Sequence, residues 1–301
     1  MLRASGPATS ANLGPGFDTL GLAIDLYLEV TVEKAAADDF AYSGTGSNAG
    51  SPGAVPTAAG NLVHAGFKAV FAQVGEEPPS VRMTVRNPIP LARGLGSSSA
   101  ALVAGAALAD AWLGAPLGRD GVFHLTAGLE GHPDNVGPAV YGGFTVAAAG
   151  EDGRFTAATL TVPDSWSLLF GVPAFELPTV AARAALPTSY AVGDAVLTSS
   201  RAALWVAAVA LDAPELLRTA SRDVLHQPHR APLVPGMQRG LDDLWAAGAY
   251  AAFLSGAGPT LGAVVAPHAL GASRAALQAF VGPSGHVLAP RAASGYVVER
   301  W

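Results

Sequence analysis

The chain has 301 residues, half of them hydrophobic and 13% charged, which excludes a solvated disordered chain and supplies core for one large domain or two ordinary ones. A formal charge of −6 without any basic run argues against nucleic acid as a partner, because phosphate backbones need clustered Lys and Arg. The absence of cysteine excludes disulfides, thiolate metal sites and cysteine nucleophiles.

The N-terminus has no basic segment leading into an apolar one, since Ser5, Gly6, Pro7 and Ser10 interrupt it. The apolar stretch Leu204–Leu211 is too short to span a bilayer, so a soluble cytoplasmic protein without a membrane partner is expected. In chain order, Pro7–Asp18 reads as a glycine-rich loop ending at a strand or turn. Leu26–Glu33 alternates apolar and polar residues and predicts a half-buried strand. Ser43–Gly60, rich in Gly, Ser, Pro and Asn, reads as a long loop or short hairpin, and Asn61–Val74 as a helix stopped by Gly75.

Val81, Met83 and Val85 mark another strand, ended by Asn87-Pro88, and an apolar helix runs over Ala100–Leu113. A helix at Val122–Leu129 and strands at Tyr141–Ala149 and Trp166–Val172 follow. Helices then dominate near 193–211, 214–221 and 236–247. After them come strands Tyr250–Leu254 and Leu261–Val265, a helix near 268–280, and a final strand pair at His286–Leu288 and Tyr296–Glu299. The mixed order predicts an α+β fold. Gly150, Asp152 and Gly153 mark a turn where composition shifts, and divide the chain into 1–155 and 156–301.

Between a strand and a helix stands Pro88-Ile-Pro-Leu-Ala-Arg-Gly-Leu-Gly-Ser-Ser-Ser-Ala-Ala. Gly94 and Gly96 allow a sharp turn and close approach of the backbone to a ligand. Ser97, Ser98 and Ser99 fall in the first helical turn, where amides lack intrahelical partners and the dipole favours an anion. No lysine follows the glycines, so this is not a Walker A loop, and without a third glycine it is no Rossmann fingerprint. Alone, the segment admits two readings: a serine-capped helix after a tight turn, or a phosphate cradle.

Three other clusters carry polar chemistry. Asn12 and Asp18, in the N-terminal loop, suit an ammonium or hydroxyl substrate, or simply a turn. In Glu130-Gly-His-Pro-Asp-Asn, Glu130 and a serine hydroxyl could ligate Mg²⁺. Asp134 could orient or deprotonate a hydroxyl, and His132 and Asn135 could hold a substrate. As the alternative, Asp134 and Asn135 cap a following helix. Arg183 and Arg230 could each grip a carboxylate bidentately, and Leu254–Thr260 is a tight hairpin or a neighbour of the phosphate loop.

Taken together these segments resemble the GHMP kinase family over nearly the whole chain. P-x-x-x-G-L-G-S-S-S-A at Pro90–Ala100 is similar to its ATP loop, and S-G-A-G-P-T within Leu254–Thr260 to its C-terminal motif. S-A-N-L-G-P-G-F-D at Ser10–Asp18, E-G-H-P-D-N at Glu130–Asn135 and H-Q-P-x-R-A-P-L-V-P at His226–Pro235 resemble the homoserine branch of that family.

The resemblance implies an N-terminal domain like ribosomal protein S5 domain 2 and a ferredoxin-like C-terminal domain, with ATP and substrate between them. It implies Mg²⁺-dependent phosphoryl transfer from ATP to the side-chain hydroxyl of L-homoserine, with mevalonate-type, sugar-type or non-catalytic members as alternatives. By resemblance, Asn12, Asp18, His132, Asn135, Arg183 and Arg230 surround homoserine. Asp18 faces its ammonium, and the two arginines its carboxylate. Asp134, Asn12 and Arg183 are the catalytic candidates. Ser98 and Glu130 hold Mg²⁺. Pro90, Arg93, Gly94, Leu95, Gly96, Ser97, Ser98, Ser99 and Ala100 line ATP, and Asn61 lies near adenine. A homodimer fits the family, though the sequence carries no interface signature. Two positions depart from it: Arg3 stands where mevalonate-type members have a lysine, and His229 where an aromatic is usual.

Overall fold

The computed structural model describes residues 1–44 and 61–301, so the loop expected over Ser43–Gly60 lies outside the described residues from 45 onward. The first two strands, β1 (Leu2–Asn12) and β2 (Gly16–Lys34), form one long antiparallel hairpin whose register runs from Leu2↔Val32 to Asn12↔Gly16. The expected loop at Pro7–Asp18 is therefore mostly strand. From Gly6 onward β1 is buried at every residue, so it lacks the alternation that betrays a half-exposed strand.

Two strands at the other side of β2, β3 (Asp39–Gly44) and β4 (Val81–Asn87), are parallel, and α1 (Leu62–Val74) lies between them in the chain, as a parallel pair requires. Asn61 caps α1 by accepting the Val63 amide at 3.0 Å, and Gly75 ends it, as its spacing predicts. Two further strands, β5 (Phe144–Ala149) and β6 (Phe155–Leu160), branch from β2.

A second sheet has the order β10-β7-β9-β8, with β7 Ser167–Val172, β8 Ala249–Leu254, β9 Leu261–Val265 and β10 His286–Leu288, all antiparallel. The final strand, β11 (Val297–Arg300), pairs with β1 and completes the seven-stranded first sheet. The two C-terminal strands expected to pair with each other thus belong to different sheets. The intervening residues cross the first sheet, bridging Ile24 to Ala292 and Gly142 to Ser294. The expected division at 155/156 falls at the start of β6, which pairs with β5 along its length. We propose that the division follows the sheets, with residues 1–160 and β11 on one side.

Over the first sheet lie α1, α2 (Ser97–Trp112), α3 (Gly118–Glu130) and α4 (Val136–Tyr141). Every residue of α2 from Ser99 to Asp110 is buried, because the helix is covered by β1, β2, α1 and α3 at once. The second sheet is covered by α9 (Met237–Ala246) and α10 (Leu270–Val281). Between α4 and α9 in the chain come short α5 (Thr179–Ala184), long α6 (Val192–Leu211), and two single turns, α7 (Leu217–Ala220) and α8 (Gln227–Arg230). The apolar stretch Leu204–Leu211 is the C-terminal part of α6, whose 20 residues are long and apolar enough to cross a membrane by length and composition alone. Gly193, Asp194 and Ser200 interrupt the apolar run without ending the helix. Its C-terminal half packs into the core through Trp205, Ala208 and Val209.

Candidate functional site

The segment after β4 is held from both sides. The Asn87 side chain accepts the Ile89 amide at 3.0 Å and donates to Ser97 Oγ at 3.0 Å. Gly94 and Gly96 adopt positive φ, 72° and 64°. A Cβ at Gly96 would lie 1.8 Å from Thr9 Oγ1, and one at Gly94 would lie 2.1 Å from the Ser255 carbonyl. The helix α2 begins at Ser97, with Gly96 at its N-cap and no side-chain cap bond. The serine-cap reading is thus not realised, and the first-turn amides keep their capacity for an anion.

The three serines diverge. Ser97 serves Asn87, Ser98 Oγ donates to Glu130 Oε1 at 2.8 Å, and Ser99 Oγ is buried without a hydrogen-bond partner among the described residues. Glu130 is the last residue of α3, and its Oε2 is buried without a partner among the described residues. An unpartnered carboxylate oxygen beside a hydroxyl is a donor set that a hard cation would complete.

Beyond Gly131 the chain places two polar side chains, those of His132 and Asn135, around Asp134. Its Oδ1 accepts the Asn135 amide at 2.9 Å and the Asn135 Nδ2 at 3.3 Å, and lies 2.7 Å from His132 Nδ1. Burial lowers the His132 pKa, but the hydrogen bond and charge of Asp134 outweigh it, with Glu130 and Asp18 adding to the same side. The net shift is upward from 6.5. Asn135 heads α4 without capping it, and its Oδ1 instead accepts from Thr9 Oγ1 at 2.8 Å. The capping reading of this cluster fails as well.

At the tip of the β1–β2 hairpin, Asn12, Leu13 and Asp18 all have positive φ, a strained backbone for residues other than glycine. Asn12 braces it, accepting the Asp18 amide at 3.1 Å and donating to the Gly256 carbonyl at 2.9 Å. Asp18 meets Arg183 in a bidentate pair at 2.8 and 2.9 Å. The buried Arg230 donates Nε to Ala182 O at 3.2 Å and Nη1 to Gly256 O at 3.0 Å and His226 Nδ1 at 3.1 Å. Burial, then the nearby Arg183, pushes its pKa below the ordinary arginine value, against the pull of Asp18, Asp134 and Asp223. A desolvated cation of that kind favours an incoming anion.

One cleft of about 980 Å³ unites these groups. Asn12, Asp18, Asn61, Pro90, Arg93, Gly94, Leu95, Gly96, Ser97, Ser98, Glu130, His132, Asp134, Asn135, Arg183 and Arg230 all line it. Its other end is more apolar, with Leu28, Tyr42, Leu62 and Val85. Ser99 and Ala100 are not in the lining and lie on the buried side of the first turn of α2. Arg93 spends its guanidinium on the carbonyls of Leu91, Pro173 and Ala174. The Leu254–Thr260 hairpin borders the phosphate loop, with Ser255 Oγ 2.6 Å from Gly94 O and 2.8 Å from Ser10 Oγ. Arg3 lies in ion pairs with Glu29 and Glu299, and His229 packs edge-on to Tyr190.

The sequence motifs by themselves assign no role to Phe17 or His226. The Phe17 ring lies 5.2 Å from the Arg183 guanidinium carbon and 5.3 Å from that of Arg230. The available signal was spacing, since His226 precedes Arg230 by one helical turn. Asp18, His132 and Asp134 also bring ligand atoms within 4.8 Å of one another, and this cluster could bind a divalent cation.

Residues 61–143 match the model of the GHMP kinases N terminal domain and residues 207–281 that of the GHMP kinases C terminal. The chain is 49% identical over 290 residues to a homoserine kinase of Thermus thermophilus, covering 96% of each. The chain belongs to the GHMP kinase family. Within that family it is also 42% identical over 255 residues to a homoserine kinase of Moorella thermoacetica, covering 85% of this chain and 84% of the relative. The crystal structure of homoserine kinase from Cytophaga hutchinsonii superposes with a TM-score of 0.86 at 26% identity, over 99% of this chain and 97% of the other. The two-domain GHMP kinase fold expected from the sequence is the one observed.

Proposed function

We propose that this GHMP kinase transfers the γ-phosphoryl group of ATP to the side-chain hydroxyl of L-homoserine, in threonine biosynthesis. The observation that carries the reading is one cleft joining a backbone anion cradle to a buried Arg230 and an Asp18–Arg183 pair. Such a charge pattern fits a zwitterionic amino acid better than a neutral sugar or a simple carboxylate.

The amides of Gly94–Ser99 hold the phosphates, at the end of the cleft where a side chain would collide with Thr9 or Ser255. Ser98 Oγ and Glu130 are the oxygens for Mg²⁺, which supplies charge neutralisation at the phosphates. Arg230 grips the substrate carboxylate, and Asp18 exchanges part of its pairing with Arg183 for the ammonium. Asn12 and Asn135 fix the hairpin and α4 beneath. Asp134, held by His132, orients the attacking hydroxyl and is near enough to the polar cluster to receive its proton. Positioning and electrostatics account for most of phosphoryl transfer, so no stronger base is required. A cytoplasmic setting is in keeping with an ATP-dependent reaction.

The test is ADP release with ATP and Mg²⁺ across L-homoserine, L-serine, L-threonine, mevalonate and galactose. The expected result is turnover with homoserine well above the rest. Preference for mevalonate or galactose would overturn the substrate.

A further inference from the structure

We propose that His226 is a positioning residue of the amino-acid site, joining the Arg230 guanidinium to the Gly14 carbonyl of the β1–β2 turn so that both keep one geometry. The proposal rests on the amino-acid reading of the cleft given above.

The partners determine the state of the ring. Arg230 Nη1 can only donate, so His226 Nδ1, 3.1 Å away, accepts. The Gly14 carbonyl can only accept, so Nε2, 2.8 Å away, carries the proton. The imidazole is therefore neutral and in one tautomer. Burial pushes its pKa down to about 4, with Asp223 opposing and Arg230 assisting that shift.

Its surroundings leave the ring no alternative pose. Asp223 accepts the amides of Leu225, His226 and Gln227 at 2.8, 2.9 and 2.6 Å, which pins the start of α8. Gln227 Oε1 in turn accepts the Leu254 amide at 2.6 Å, tying α8 to the end of β8. The Phe17 ring lies 5.6 Å from the imidazole and faces Arg230 as well.

The chemistry explains why an imidazole suits this position. A carboxylate there would neutralise Arg230 and compete with an incoming anion. A neutral acceptor aims the guanidinium and leaves its charge available. Asp223, whose Oδ2 lies 3.5 Å from His226 Nε2, is occupied by three amides. His226 is fully buried and absent from the cleft lining, so it acts through Arg230 and the turn, not on the substrate.

The experiment uses the full chain and the variants His226→Gln, His226→Asn, Arg230→Ala and the double variant His226→Gln/Arg230→Ala. His226→Gln, which can donate to Gly14 but presents no matched acceptor to Arg230, is expected to raise the homoserine KM about tenfold, leaving the ATP KM within about twofold. His226→Asn, whose amide oxygen can stand in for Nδ1, is expected to recover most of that loss. On the Arg230→Ala background, His226→Gln is expected to add less than about twofold, because its effect passes through the missing arginine. Equal rises in both KM values, or full additivity in the double variant, would overturn the proposal. A long-range proton–nitrogen spectrum of the unaltered chain, assigned by difference from a His226 variant, reads the ring directly. Protonation at Nε2 alone is expected, and a protonated Nδ1 would overturn the proposal even if Arg230→Ala and the double variant fail to fold. Absence of homoserine-dependent ADP release by the unaltered chain would instead count against the amino-acid reading, and the spectrum would still decide the ring.

Discussion

The two ends of the cleft are built from different materials. The phosphate end is main chain: two glycines at positive φ and the opening amides of α2, with Gly96 standing where a capping side chain would be. The amino-acid end is side chain, drawn from β1, β2, α5 and α8 and locked by Asp18–Arg183, Asn12–Gly256 and Arg230–His226. A main-chain site recognises an anion whatever it is attached to, and depends on backbone geometry. A side-chain site recognises a particular arrangement of charges, and depends on each group being present. Catalytic generality and substrate choice therefore sit on separate structural supports.

The strongest way to break that division is Gly96→Ala. Left-handed backbone and a contact at 1.8 Å with Thr9 act together, and kcat/KM for ATP is expected to fall about a hundredfold. Gly75→Ala has similar φ but nothing within 4 Å, so it is expected to cost about 1 kcal/mol of stability by thermal unfolding with unchanged kinetics. An unaffected ATP KM in Gly96→Ala would remove the cradle from the phosphate site.

Arg230→Ala tests the other end. Loss of a buried guanidinium is expected to raise the homoserine KM about 50-fold in steady-state assays, with the ATP KM unchanged. A parallel rise in the ATP KM would mean that the two ends are not separable.

The boundary between the ends is sharpened by Glu130→Gln. It is expected to lower kcat about tenfold and to shift the Mg²⁺ titration to higher concentration, with homoserine KM little changed. An unaltered Mg²⁺ requirement would take Glu130 out of the metal site.

The smallest effect concerns His132. Its pKa is raised above 6.5, so its pairing with Asp134 stabilises the fold fully below that value and loses this contribution as pH rises through the raised one. Proton NMR of the metal-free chain should give a midpoint above 6.5, and Asp134→Asn should bring it down. No difference between the two proteins would remove Asp134 as the cause.

Legibility in the sequence follows the same split. The helix α1 was readable because its apolar residues recur at helical spacing and Gly75 ends it locally, and the α2 loop because its glycines and serines are close together. In the β1–β2 hairpin only Leu26–Glu33 alternates and was legible; β1 from Gly6 and the first half of β2 were hidden because they lack alternation, and the turn residues are glycine and proline like those of a loop. The fate of β11 was hidden for another reason: a short strand carries no address, and its partner lies at the other end of the chain. In the site, residue types and their rough neighbourhood were visible, down to Ser98 beside Glu130. What they do to each other was not. That Arg93 is consumed by three carbonyls, or that Ser99 turns inward, depends on side-chain direction, which spacing does not specify. His226 needed only the helical turn separating it from Arg230, and that turn is one the two prolines around it disguise.

The pairing of β11 with β1 joins Leu2 to Arg300, so the first sheet depends on residues made at opposite times. At roughly 5–20 residues per second on the ribosome, β1 waits on the order of 15–60 s for its second neighbour. Throughout that interval the Leu2–Ser5 edge of β1 is open to pairing with another nascent chain, so this exposure precedes completion of the first sheet.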